Sequence, residues 1–84
     1  MRDLRKLSRP DREHIREALA ALAVDADNLD VKALTGRAPW LRMRVGDWRV
    51  LYRPLLENET GGSGLLVARV INRRELERAV RSLA

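Results

Sequence analysis

The sequence predicts an α+β fold from three observations: helical periodicity near the N-terminus, a hairpin of alternating residues at 40–53, and a capped apolar stripe at the C-terminus. Eighty-four residues leave room for one small domain, spanning 1–84. The expected architecture is an N-terminal helix pair packed on a small antiparallel sheet and closed by a short C-terminal helix.

Arg2 to Leu7 fits a short helix with Leu4 and Leu7 on one side. Ser8 to Asp11 matches a capping box with proline in the first turn, ahead of Ile15, Ala18, Leu19 and Leu22 at helical spacing. This second helix is expected to reach Ala23, and the two should pack as an α-hairpin with both apolar stripes toward the sheet. Residues 25–37 read as connection. Asp25, Asp27, Asn28 and Asp30 are turn formers, and Thr35 to Pro39 breaks the chain again.

Gly46 and Asp47 form a two-residue loop with glycine at its first central position, which fits a type II′ hairpin turn. Such a turn pairs Val45 with Trp48, and then Arg44 with Arg49, Arg42 with Leu51 and Trp40 with Arg53. Side chains alternate along a strand, so Leu41, Met43, Val45, Trp48, Val50 and Tyr52 share the opposite, core-facing surface. Like charges directly opposite one another destabilise a hairpin, and an anionic partner would relieve the Arg44–Arg49 pair. The second strand should end near Leu56, before a polar, glycine-rich hairpin loop from Glu57 to Gly64. Gly61 to Gly64 lacks both the lysine and the helix start of a P-loop. Leu65 to Ile71 is a third strand. Asn72 then fits an N-cap with Glu75 as reciprocal acid, opening a helix with Leu76, Ala79, Val80 and Leu83 in an apolar stripe.

A hydrophobic share of 45% argues against disorder, and no apolar run has membrane-spanning length. With no leader pattern either, the cytosol is the expected compartment. No cysteine and one histidine exclude disulfides, thiolate catalysis and zinc centres built on those residues, so neither metal nor cofactor is expected. The net charge of +5 is unevenly spread. Residues 1–36 hold seven basic and seven acidic residues, whereas residues 37–84 hold ten arginines against five acids. Arginine's planar fork binds phosphate bidentately and stacks on bases, which makes nucleic acid the leading partner class. A solvated charged surface is the competing account.

Two helices, then LTGRAPWLRMRVGDWRVLY, then a strand ending in RVINRRELERAV: this order resembles the RelE/ParE superfamily of toxins, most specifically at RVGDWRVLY with Arg69, Arg73 and Arg74, and the short chain with its arginine-crowded sheet face favours the RelE-like mRNA interferase branch. The resemblance implies a microbial-ribonuclease-like fold and an endoribonuclease that cuts mRNA, commonly on the ribosome, by attack of a ribose 2′-hydroxyl on the adjacent phosphate. It implies as partners a cognate acidic antitoxin, mRNA and the ribosome, with DNA reached only through the antitoxin complex. Members usually begin with a strand before the helix pair. This chain starts at the helices, so either the sheet is one strand short, with an edge open to an antitoxin segment or a second copy, or the true start lies upstream.

By resemblance, Arg44, Arg49 and Arg73 are the catalytic candidates, neutralising the phosphate and its leaving oxygen. Arg42, Arg53, Arg69, Arg74 and Trp40 are the RNA-binding candidates. Parity places Trp40 on the arginine face, where its indole would stack on a base or pack beneath the C-terminal helix. The chain departs from the family pattern at Asn72, where many relatives carry histidine, and at Glu77, where many carry tyrosine. Asn72 has a sufficient role as a cap, Glu77 as a solvated helix residue, and Tyr52 falls on the core face. His14 lies among charged residues far in sequence from the arginines. Two other functions compete: a catalytically degenerate relative that only binds RNA or antitoxin, and a ParE-like gyrase inhibitor.

Overall fold

The computed structural model describes residues 3–24, 28–55 and 64–83. A 3-10 turn at Asp3–Lys6 precedes α1 (Arg9–Val24), followed by β1 (Val31–Ala33), β2 (Leu41–Val45), β3 (Trp48–Pro54) and β4 (Leu65–Asn72). A second 3-10 turn, Arg73–Glu75, leads into α2 (Leu76–Arg81). The strands form one antiparallel sheet in the order β1-β2-β3-β4. Among the described residues no helix is long and apolar enough to cross a membrane.

The α+β class stands, but its helices are arranged differently from the expected N-terminal pair. Of the helix expected over Arg2 to Leu7, the described residues form only the short 3-10 turn Asp3–Lys6, closed by Leu7 N–H donating to the Leu4 carbonyl at 3.3 Å. One turn cannot recover the cost of helix nucleation, and Ser8 begins the next element at once. Ser8 Oγ accepts from the Asp11 amide at 3.3 Å, the cap read from sequence. A second correction concerns residues 25–37, read as connection: Val31–Ala33 is a strand, so the sheet has four strands. Three residues are too few for period-two alternation to stand out beside so many turn formers. What holds the segment is pairing, with Val31, Lys32 and Ala33 opposite Met43, Arg42 and Leu41. The loop read between β3 and β4 falls largely on residues 56–63, outside the described residues.

The β2–β3 hairpin has the register its turn dictates. Val45 pairs with Trp48, Arg44 with Arg49 and Arg42 with Leu51. Gly46 has φ +58, and no non-glycine among the described residues has positive φ, as a type II′ turn requires. Helix α1 covers one sheet face, burying Ile15 and Leu22 against Met43, Val50, Tyr52 and Val70. Leu41, Val45 and Trp48 pack at the margin of this cluster. The short α2 covers part of the other face, where Leu51, Ile71 and Ala79 form a smaller core flanked by Leu34, Leu76, Val80 and Leu83. Leu51 and Ile71 lie opposite Arg42 and Arg49, so the arginine face is half covered by a helix.

Asp3 ties the N-terminal turn to the outer edge of β4. Its Oδ2 accepts from the Val70 amide and from Arg69 Nε, both at 2.9 Å. Burial alone would raise the Asp3 pKa, but the bonds from Arg69 and Val70, with the positive charges of Arg69 and Lys6, hold it below its ordinary value. A carboxylate with a depressed folded-state pKa contributes stability above its unfolded pKa and loses that contribution as pH falls through the folded value. Asp3→Asn should therefore lower stability at neutral pH, and urea titrations should show the deficit shrinking once pH drops below the ordinary carboxylate range. On the α2 side, Leu51→Ala should cost about 2–5 kcal/mol in the same assay, because Leu51 is fully buried.

Candidate nucleic-acid interface

The half of the sheet face left open by α2 is the hairpin-turn end, and cross-strand pairing populates it with cations. Lys32 on β1 lies opposite Arg42 on β2, and Arg44 lies opposite Arg49 on β3. Trp48 pairs with Asn72, and the Arg73 amide extends this ladder by donating to the Asp47 carbonyl at 2.9 Å. Arg73 thus arrives beside the hairpin turn, its Nε 3.9 Å from Asp47 Oδ1.

Arg49 is the centre of this group. Its Nη1 donates to the carbonyls of Gly46 and Trp48, each at 2.9 Å, so the turn itself holds the guanidinium. Desolvation, followed by the positive charges of Arg44, Arg42 and Arg73, lowers its pKa from the ordinary arginine value, while Asp30 acts in the opposite sense. It remains a cation, but one held among three others. Arg42 is largely covered, its side chain 14% exposed, with Nη1 3.5 Å from Asp30 Oδ1. Arg44 reaches Asp30 Oδ2 at 4.0 Å.

Four of the sequence candidates, Arg42, Arg44, Arg49 and Arg73, therefore share one surface. The others lie apart. Arg53 is displaced along β3, its guanidinium 5.8 Å from the centroid of the Trp40 ring and its Nη1 donating to the Pro54 carbonyl at 3.1 Å. Trp40 is 8% exposed, so its ring offers little surface for base stacking. Arg69 is engaged by Asp3 at the edge of β4, a contact that also raises its pKa. Arg74 is exposed, its amide donating to Asn72 Oδ1 at 3.1 Å. Asn72 is thus a cap.

The proton-transfer candidates are dispersed. Tyr52 is buried in the α1-side core, and desolvation raises its pKa. His14 is exposed on α1, which packs against the opposite sheet face. Glu77 is exposed on α2, beside a groove lined by Leu34, Thr35 and Val80. Asp30 and Lys32 are the site residues that sequence reasoning missed. The signal for them was the single alternation around Val31, too short to be read as a strand.

This surface can neutralise a multiply charged oxyanion and hold it against a guanidinium fixed by its own turn. No set of three or more His, Cys, Asp or Glu is placed to hold a metal among the described residues. In comparisons with known proteins, the chain matches no family model, no curated protein and no solved structure.

The like-charge pair at the centre has a measurable consequence. Opposed like charges destabilise a strand pair by roughly 0.2–1 kcal/mol, and salt screens the effect. Arg44→Gln should therefore raise stability in low-salt urea titrations by an amount of this order, and the gain should fade as salt is added.

Proposed function

We propose that this chain is the toxin of a type II toxin–antitoxin pair, an endoribonuclease of the RelE kind that cuts mRNA on the ribosome in the cytoplasm. The observation that carries the reading is the gathering of Arg42, Arg44 and Arg73 around Arg49 at the open end of the sheet. RNA cleavage by its own 2′-hydroxyl forms a bond from the 2′-oxygen to phosphorus and breaks the bond from phosphorus to the 5′-oxygen. The products are a 2′,3′-cyclic phosphate and a 5′-hydroxyl, with one proton moved in net from the 2′-hydroxyl to the 5′-oxygen. Charge accumulates on the phosphoryl oxygens as the pentavalent state forms, and positioned guanidiniums stabilise that charge more than the ground state. Arg49 suits this role because the Gly46 and Trp48 carbonyls orient it before any ligand arrives. Arg44 and Arg73 flank it, and Arg42 supports the neighbouring phosphate.

An acidic antitoxin fits the same face, since its carboxylates would neutralise the arginines that otherwise repel one another. A second reading is a binding protein without nuclease activity. It is favoured by the make-up of the group around Arg49, where Arg44, Arg42, Arg73 and Asp30 are the neighbouring charges and, among the described residues, Tyr52 and His14 lie on the other side of the sheet.

Induced expression followed by mapping of RNA 5′ ends separates these readings. The nuclease reading expects new ends within translated codons, and Arg49→Ala should reduce their formation by about a hundredfold, the scale of losing one oxyanion donor. Unchanged RNA with undiminished growth inhibition by Arg49→Ala would end it. Loss of gyrase supercoiling on adding the purified protein would move the assignment to a ParE-like inhibitor.

A further inference from the structure

We propose that Asp30 is a built-in competitor for phosphate: its carboxylate bridges Arg42 and Arg44, weakens the hold of the arginine face on polyanions, and sets where a phosphodiester can sit. The inference rests on the phosphate-binding half of the proposed function and holds whether or not the bound RNA is cut.

The placement of Asp30 follows from β1. Val31 lies opposite Met43, so the preceding residue falls opposite Arg44, whose amide donates to the Asp30 carbonyl at 2.9 Å. Directly opposed residues share a face, which brings the carboxylate onto the arginine surface. Its two oxygens go to different cations, Oδ1 to Arg42 at 3.5 Å and Oδ2 to Arg44 at 4.0 Å. The two non-bridging oxygens of a phosphodiester would divide between the same two guanidiniums in the same way.

These contacts are loose, and the Asp30 side chain is 47% exposed, so the pairs add little to stability and yield readily to a ligand. Their electrostatic effect on the face is larger than their strength as bonds. Lys32, Arg42, Arg44 and Arg49 are cross-strand neighbours of like charge, and Asp30 is a carboxylate set directly against two of them. An aspartate is short and the Arg44 amide holds its backbone carbonyl, so it cannot follow a displaced arginine outward. A phosphate taking over Arg42 and Arg44 would still lie beside a carboxylate. The repulsion shifts the favoured position toward Arg49 and Arg73, away from β1. Asp47 differs in position: it sits at the rim, 75% exposed, 3.9 Å from Arg73.

The test compares wild type, Asp30→Asn and Glu17→Gln for binding to a fluorescein-labelled 2′-O-methyl oligoribonucleotide, read by anisotropy across a potassium chloride series. The blocked 2′-oxygen prevents cleavage, so affinity is read alone. Glu17 is exposed on α1 at the other face, and its substitution makes the same change in net charge. Asp30→Asn should bind about fivefold tighter at low salt, the scale of one charge removed at contact distance in water. Its log–log salt dependence should steepen by about 0.7, one phosphate's worth for a single strand. Glu17→Gln should bind like wild type. Equal or weaker binding by Asp30→Asn, or an equal gain from Glu17→Gln, would overturn the inference. Should circular dichroism show that Asp30→Asn does not fold, Asp30→Ser decides by the same criteria. Failure of the nuclease reading has a separate signature, intact binding with no mRNA cuts, whereas absence of binding by every variant would remove the premise of both.

Discussion

The two-residue turn at Gly46 and Asp47 constrains nearly everything else in this molecule. A glycine at φ +58 lets the chain reverse in two residues, and that reversal sets Val45 against Trp48. One residue further, Arg44 must face Arg49; two more, Arg42 must face Leu51. A slip of one residue would send Met43, Val50 and Tyr52 out of the core and carry the arginines in. Burial of that apolar set against α1 therefore enforces the arrangement of the charged face, including its unfavourable like-charge pair.

Unequal cover on the two sides of the sheet gives the charged face its shape. Helix α1 has sixteen residues and buries its stripe along one face, whereas α2 has six and reaches only over Leu51 and Ile71. The remainder of the second face is left to arginines. Identical side chains then meet different fates according to what the backbone brings near them. Arg49 is held by the carbonyls of its own turn, Arg53 lies over Trp40, and Arg69 is drawn to Asp3 at the sheet edge. An arginine count alone overstates the positive face, because burial and pairing remove some members from it.

Among the described residues, the two carboxylates paired with arginines of the face come from segments that close the structure locally. Asp47 belongs to the hairpin turn, and Asp30 precedes a three-residue strand. Each moderates a concentration of positive charge that the core register would otherwise leave unopposed. Asp3 serves the far edge differently, accepting from a β4 amide and from Arg69 in one contact. Such a carboxylate occupies a hydrogen-bonding position that an added strand would need.

Local rules were enough to read the hairpin and its register, the Ser8 cap of α1, the core parity of Met43, Val50 and Tyr52, and the Asn72 cap, because each is decided by neighbours within a few residues. Three of the four arginines that meet were legible for the same reason, because a two-residue turn fixes them; Arg73 was grouped with them by resemblance alone, and the pairing of β3 with β4 is what brings it there. Other features depended on partners distant in sequence. Val31–Ala33 is a strand because β2 offers it a pairing edge, and its own three residues carry too little pattern to announce it. Asp30 joins the arginines only through that pairing, Arg69 leaves them through Asp3, sixty-six residues away, and Trp40 is covered by the fold around it. Sequence by itself determined which hairpin side chains share a face; the tertiary structure decided which of them are exposed, paired or buried and what else joins them, because pairing and burial depend on what long-range contacts place within a few ångströms.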